Sequence, residues 1–414
     1  MIVFKFGGAS VKDAEGIQNL AKILKLYSDK KIVCIVSAMG KTTNALEQIL
    51  AKVWANENPF EFIEHLKNYH LQTAMELELD IDAIIELNEI FDLLNEQLNT
   101  VDRNGSFDFY YDQIVSFGEL LSTTIVHHFL VESQCENWLV PAKDLIRTNN
   151  LYRDAEVNWE LTQANLQKLI QGNPANIILT QGFIGGDENG NCTTLGREGS
   201  DFTAAIIAHC INAESVSIWK DVPGVLTADP RIMKETQKFE RISYQDAAEM
   251  TYYGAVVIHP KTILPLSQKG IPLHVKPFLQ PEASGTVISQ NKGQALPTYI
   301  YKFNQTLISF ATRDFSFIHE KNLSDILQEL SNCHIHANLM QNSATSFSVI
   351  FDYRKDKFEQ LIQALQEHFS IKYNHELTLL TIKNYLEENV ALVKENKEFL
   401  IEQKTRNTFQ LLYK

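Results

Sequence analysis

Short apolar runs closed by turn residues alternate with segments whose apolar positions fall three and four residues apart through the first 290 residues. The runs are "IVFKF", "KIVCIVSA", "ENWLVPA", "NIILTQGFIG" and "SVSIWKD". Strands alternating with helical patterns predict an α/β sandwich, a mostly parallel sheet with helices on both faces. Residues 42–100 form a long acidic insertion, "NALEQILAKVW" through "IIELNEIFDLLNEQL", with helical periodicity throughout. This predicts an added amphipathic helical layer.

A Gly-, Pro- and polar-rich stretch, "QPEASGTVISQNKGQALP", marks a boundary near residue 290. Beyond it, over residues 298–414, the order is strand, helix, two strands, helix, strand and a last hairpin-like stretch. Two helices on one antiparallel sheet predict a small ferredoxin-like α+β unit, followed by a reduced second unit. The expected division is therefore 1–290 and 298–414.

The formal net charge of −14 and pI near 5.4 argue against nucleic acid or an anionic membrane as a partner, because a polyanion would meet a repulsive field. Any anionic ligand then needs a locally basic pocket. Five scattered cysteines, Cys34, Cys135, Cys192, Cys210 and Cys333, show no metal or redox spacing and read as reduced core residues of a cytoplasmic protein. No apolar stretch approaching 18 residues is expected, so neither export nor membrane insertion is indicated.

Two glycine-rich turns carry the chemistry. In "MIVFKFGGAS" a buried-looking strand ends in Lys5, then Gly7, Gly8 and Ser10 precede a helical segment. Glycines let a backbone approach an anion, helix N-termini offer N–H donors, and a lysine adds full charge. The alternative is a plain strand-to-helix turn with Lys5 reaching solvent. In "TLGREGSDFTAAIIA", Ser200 or Asp201 caps an apolar helix, with Arg197 in the loop before it. The pair of turns reads either as two halves of one anion site or as a turn, a hairpin and an ordinary cap.

The blocks "KFGGAS", "VSAMGKTTNAL", "SFGELLS", "TLGREGSDFTAA", "IWKDVPGVLTADPR" and "YYGAVVIHPKTILPL", in this order, resemble the signature blocks of aspartokinases of the amino-acid kinase family. The C-terminal part resembles ACT regulatory domains. The resemblance implies an amino-acid kinase sandwich followed by ACT units, and ATP-dependent phosphorylation of the side-chain carboxylate of L-aspartate. It implies Mg²⁺ held mainly through the nucleotide phosphates, no protein metal site, a homodimer, and a lysine or threonine effector.

Residue by residue, the same resemblance implies that Lys5 holds ATP phosphates, with Gly7, Gly8 and Ser10 donating from the loop. Asp201 is then either an orienter of Lys5 or the helix cap. Arg197 clamps the substrate α-carboxylate and Glu119 takes the α-ammonium, unless the two form a surface ion pair. Ser37 and Thr43 complete the aspartate pocket, or serve only as turn and cap residues. Asp221, Asp229 and Arg231 lie along the nucleotide.

The family commonly has threonine at Lys220 and lysine at Val256, so Lys220 or Lys261 would replace the missing cation. Lys41 reads as solvated, and His259 as structural. In "ANLMQNSATSFSVIFD", Asn342 and Ser343 would meet an effector while Met340 packs, unless that unit only dimerises. A catalytically impaired sensor, or an amino-acid kinase with another acceptor, is the competing reading.

Overall fold

The computed structural model describes residues 1–172, 175–255, 258–314, 316–395 and 398–414. In chain order come β1 (Ile2–Phe6), α1 (Ala14–Leu26), β2 (Ile32–Val36), α2 (Thr42–Trp54), α3 (Phe60–Glu76), α4 (Ile81–Asn99), α5 (Phe107–Val115) and α6 (Phe117–Glu132). Next are β3 (Asn137–Val140), α7 (Ala142–Leu145), α8 (Trp159–Gly172), β4 (Ile177–Gln181), β5 (Ile184–Gly186), β6 (Cys192–Thr194), α9 (Gly199–Ile211) and β7 (Val216–Lys220). They are followed by β8 (Arg241–Ser243), α10 (Tyr244–Tyr252), α11 (Pro260–Lys269), β9 (Leu273–Pro277) and β10 (Thr286–Ser289).

The remaining elements are β11 (Thr298–Thr312), α12 (Glu320–Asn332), β12 (Ala337–Asn342), β13 (Ser346–Asp352), α13 (Lys355–Leu365), β14 (Phe369–Lys383), α14 (Glu387–Lys394), β15 (Phe399–Lys404) and β16 (Thr408–Tyr413). The chain divides into two compact units. The first comprises residues 1–225, 238–248 and 257–294, and the second 226–237, 249–256 and 295–414.

The first unit is built on an eight-stranded sheet in the order β3-β4-β2-β1-β7-β9-β10-β8. The strands β3, β4, β2, β1, β7 and β9 are parallel, and β10 runs antiparallel to β9. The central strands β4, β2, β1 and β7 are almost wholly buried because helices cover both of their faces, whereas β3 and β9 include partly exposed residues. Register aligns the strand ends: Phe6 pairs with Val36 and with Trp219, and Val36 pairs with Gln181. The loops after β1, β2, β4 and β7 therefore leave the sheet at one level. The order turns back at β1, which lies between β2 and β7, and such a crevice at the carboxyl ends is where α/β sheets bind ligands.

Alternation along β1 explains its lysine. Successive side chains point to opposite faces. Phe4 and Phe6 turn to one face, where both pack against the fully buried Trp219. Lys5 therefore points to the other.

Helices α2, α3 and α4 form the acidic layer expected over residues 42–100, burying Leu46, Ile49, Leu87, Phe91 and Leu94 in the main core. One expectation needs correction. The segment Phe107–Glu132 is long and apolar enough to cross a membrane, by length and composition alone. Two thirds of its most apolar window is buried. It consists of α5 and α6 meeting at Ser116, and α6 is apolar nearly all round because the core surrounds it.

The second unit holds a six-stranded sheet, β12-β13-β11-β14-β16-β15. Its pairings are all antiparallel. The part β14-β11-β13-β12 has the ferredoxin-like order, with α12 and α13 packed on Ile308, Phe310, Val349 and Phe351. The long β14 continues past this part to pair with β16, where α14 covers a smaller core of Leu380, Ile382, Val390 and Phe409.

Leu121 of α6 is fully buried in the first unit. Leu121→Ala is expected to cost that unit about 2–5 kcal/mol through the cavity left behind, read as a lower midpoint of its denaturant unfolding transition.

Candidate active site

The loops at the carboxyl ends of β1, β2, β4 and β7 surround a cavity of about 970 Å³. Its centre is an ion cluster. Lys5 Nζ lies 2.6 Å from Asp201 Oδ1, and Lys220 Nζ lies 3.5 Å from Asp201 Oδ2. Lys5 and Asp201 are both buried. Burial alone would raise the Asp201 carboxyl, but the two ammonium groups, Lys5 foremost, hold it below the ordinary value. One carboxylate against two lysines leaves a net positive charge facing the cavity.

Asp201 is not a helix cap. The N-cap of α9 is Glu198, in a left-handed conformation (φ 54°) and without a side-chain cap bond, while Ser200 and Asp201 sit inside the first turn. Capping was the expectation from local sequence. The helix instead carries the carboxylate against β1, and only the packed fold shows that neighbour.

The glycine turns meet as well. A Cβ on Gly8 would stand 2.5 Å from the Ala38 carbonyl oxygen, and one on Gly182 would stand 2.5 Å from the Ser200 Cβ. Gly40 N donates to Gly8 O at 3.0 Å, tying the loop after β1 to the loop after β2. Among the described residues, the backbone N–H groups of Gly8, Ala9 and Ser200 meet no acceptor. Three unpartnered donors around a cationic cluster suit an anion of phosphate type. Helix α1 contributes less than expected, since Asp13 caps it through Gly16 N.

Beside this cradle lies a carboxylate built differently. Glu119, in the first turn of α6, is 2 % exposed. Its Oε1 accepts from Ala38 N at 3.3 Å, while its buried Oε2 has no partner among the described residues. Burial pushes its carboxyl up to about 8, against the opposing pull of the Ala38 N–H and the Lys5 charge. A buried acceptor without a donor, opening on a cavity, suits a ligand bearing a cation. Ser37 and Thr43 line the same cavity, as do Gly7, Ser10, the exposed Arg197 and Asp221.

Other positions singled out in the sequence lie elsewhere. Lys261 pairs with Asp154 and does not line the cavity. Asp229 and Arg231 belong to the second unit, where they pair with each other at 2.6 Å. Val256 lies outside the described residues. Lys41 is exposed at the start of α2, away from the cavity lining. His259 caps α11, accepting from Lys261 N, and its own N–H donates to Glu198 Oε2. Met340 is exposed, not packed, on β12, which ends the six-stranded order among the described residues. Asn342 ends the same strand, and Ser343 bonds with Ser346 in the following turn.

The cavity also has a wall formed by Asn44, within the block "VSAMGKTTNAL", and by Glu47, Tyr111 and Arg153, which no motif announced. Glu47 could have been found from helical spacing, since it lies four residues after Thr43 on α2. Nothing local points to Tyr111 or Arg153.

Comparison with known proteins agrees with this geometry. The model of the amino acid kinase family matches residues 1–277. The lysine-sensitive aspartokinase 3 of Escherichia coli (strain K12) is 31 % identical over 360 residues, 85 % of this chain and 78 % of that protein. Aspartokinase 1 of Arabidopsis thaliana, a chloroplastic protein, is 31 % identical over 393 residues, 88 % of this chain and 66 % of its own length. The structure of E. coli aspartokinase III with aspartate and ADP, in the R-state, superposes with a TM-score of 0.84 at 27 % identity. It covers all of this chain and 96 % of that one. The same enzyme with lysine and aspartate, in the T-state, gives 0.79 at 26 % identity, over all of this chain and 95 % of that one.

The chain belongs to the amino acid kinase family, among its aspartokinases. Its activity is that of an ATP-dependent kinase acting on aspartate.

Gly8→Ala is expected to force the two loops apart at a cost of about 1–3 kcal/mol. Titration with ADP should then show affinity reduced by roughly tenfold or more, with an unchanged far-UV CD spectrum.

Proposed function

We propose that the cavity binds the ATP phosphates on the Lys5–Asp201–Lys220 cluster and the two glycine loops, with aspartate gripped at both ends beside them. The observation that carries this reading is the convergence of two unlike sites. One is net cationic and ringed by unpartnered N–H donors, and the other is a buried carboxylate with a vacant acceptor position.

Aspartate's side-chain carboxylate is ionised at pH 7, so the reaction needs no general base. An oxygen of that carboxylate attacks the γ-phosphorus while the bond from γ-phosphorus to the β,γ-bridging oxygen breaks. Aspartyl phosphate and ADP result. The barrier is repulsion between anions, and catalysis consists of positioning and of charge placed around the transferred group. Lys5 and Lys220 supply that charge. Asp201 keeps both ammonium groups in place.

The donor set fits a nucleotide. Mg²⁺ accompanying the nucleotide would be held mainly through its phosphates, as the family resemblance implies. Bound there, it would neutralise further phosphate charge. Arg197 pairs with the α-carboxylate through its planar fork, and Glu119 accepts from the α-ammonium. Ser37 and Thr43 add hydroxyl contacts. Lys220, rather than Lys261, stands in for the family lysine absent at Val256, because Lys220 lines the cavity and Lys261 is engaged with Asp154. Asp221 lies at the phosphate end of the cavity, and we retain Asp229 and Arg231 as nucleotide contacts on resemblance alone.

Regulation is read from the second unit. Its unpaired edge β12 offers a ladder to a second copy, so we propose a homodimer, with lysine as the effector near Asn342 and Ser343. The lysine-bound structure of the E. coli enzyme supports lysine as the effector. We place the enzyme in the cytoplasm.

A coupled assay for ADP release with aspartate, glutamate and UMP as acceptors should show turnover with aspartate. No turnover with any acceptor would point to an amino-acid sensor instead. Lys5→Met is expected to lower kcat by about a hundredfold or more, and Lys220→Ala to lower it less, with Lys261→Ala near wild type. Unchanged turnover in Lys5→Met sinks the phosphate assignment.

Glu119 also gives a pH signature. Its folded carboxyl titrates near 8, above an ordinary value of about 4.3, so the protonated form is favoured in the free enzyme across that window. An incoming ammonium reverses the preference and expels the proton. Between about pH 5 and 7, aspartate binding should release close to one proton and tighten as pH rises, levelling off above about 8. Calorimetry in buffers of different ionisation enthalpy measures the release, which Glu119→Gln should abolish.

A further inference from the structure

We infer that Arg153 is a second guanidinium for the acceptor's α-carboxylate, acting beside Arg197 and setting selectivity for an amino acid with that group free. The inference rests on the reading of Arg197 as the α-carboxylate clamp.

Arg153 lines the cavity from a loop that no motif marks. Its backbone is left-handed, φ 70°, a region that favours glycine and is sparsely used by other residues. The conformation is held from beneath. Both oxygens of the fully buried Asp112 accept from Arg153 N at 3.1 Å, and the same carboxylate accepts from Thr194 N at 2.7 Å and Thr194 Oγ1 at 2.8 Å. Asp112 thus joins the Arg153 loop to β6, the strand that leads into Gly196 and Arg197.

A second contact fixes the same neighbourhood. A Cβ on Gly196 would lie 3.3 Å from the Arg153 carbonyl oxygen and 2.5 Å from Asp154 Oδ1. The loops bearing Arg153 and Arg197 therefore touch at the residue just before Arg197, and both arginines open on one cavity. The phosphate cluster stands on β1, α9 and β7, elements to which Arg153 makes no hydrogen bond or ion pair among the described residues. That geometry places Arg153 with the amino-acid end.

The guanidinium is held in a usable orientation. Its Cζ lies 4.4 Å over the Tyr111 ring, and the Tyr111 hydroxyl donates to Glu47 Oε1 at 2.6 Å. All three residues line the cavity. Stacking leaves the edge of the guanidinium, where its donors are, directed away from the ring face. Among the described residues its ion pair is with Asp108, Nη1 to Oδ1 at 3.2 Å, exposed on both sides and weak enough to exchange for a substrate carboxylate.

Steady-state kinetics on the full chain test this, using L-aspartate and its α-amide, which keeps the reacting side-chain carboxylate but loses the α charge. Arg153→Gly suits the left-handed backbone, so the loop should keep its shape. We expect KM for aspartate to rise by about tenfold with kcat within about twofold, and KM for the α-amide to change by less than about twofold. Arg153→Lys should recover part of the aspartate KM.

An aspartate KM unchanged in Arg153→Gly overturns the inference. So does an equal rise for both acceptors, which marks a structural role. Arg197→Ala separates the two readings: if it leaves the aspartate KM unchanged, the clamp assignment itself falls, whereas a raised KM there beside an unchanged one in Arg153→Gly removes only the role given to Arg153.

Discussion

A buried lysine held against a buried aspartate, with a second lysine on the far oxygen, is the constraint on which the rest of the first unit depends. Taking such charges out of water is costly, and apolar residues of similar volume often serve stability as well or better. Stability therefore does not explain Lys5 and Asp201. Function does, because the three charges leave a fixed positive excess at the carboxyl ends of β1 and β7, in a chain whose net charge is −14. A polyphosphate and a dicarboxylate approaching a chain of that net charge need such a locally cationic place.

From that cluster the architecture follows outward. Parallel pairing levels the ends of β4, β2, β1 and β7, so their loops share one crevice. Close backbone approach then selects the residues: Gly8 beside the Ala38 carbonyl, and Gly182 beside Ser200. The apolar helix α6 brings Glu119 in from the opposite side and buries it, which is why its carboxyl is driven up while that of Asp201 is driven down. Equal burial with different neighbours gives two carboxylates opposite tasks, one tuned to keep lysines in place and the other to receive a cation.

Much of this was legible in the chain. The apolar runs gave the parallel strands β1, β2, β3, β4 and β7 but not β9, whose "LHVKP" alternates, and the helix and strand periods after residue 298 gave the antiparallel sheet with its two packed helices. Both signals are local, since burial on one or two faces writes its period directly into the residues. Asp201 was ambiguous for the same reason. A Ser-Asp pair before an apolar helix is a normal cap, and only the neighbouring strand shows that the carboxylate belongs to Lys5. Arg153 and Tyr111 left no local trace. Their meeting depends on Asp112, which joins segments 41 and 82 residues away. The apolar segment Phe107–Glu132 was passed over because Asp112, Glu119 and several hydroxyl residues interrupt its apolar run, although its mean hydropathy over 18 residues is high.

By itself the sequence determined the elements, the two textures of the chain and the glycine turns that let backbone come close to an anion, because each depends on the period or the steric freedom of adjacent residues. Tertiary structure alone decided which charges face one another, which carboxylate is left without a donor, and which arginines share a cavity. Electrostatic energy depends on separation through space and on exclusion of water, and neither quantity is carried by distance along the chain.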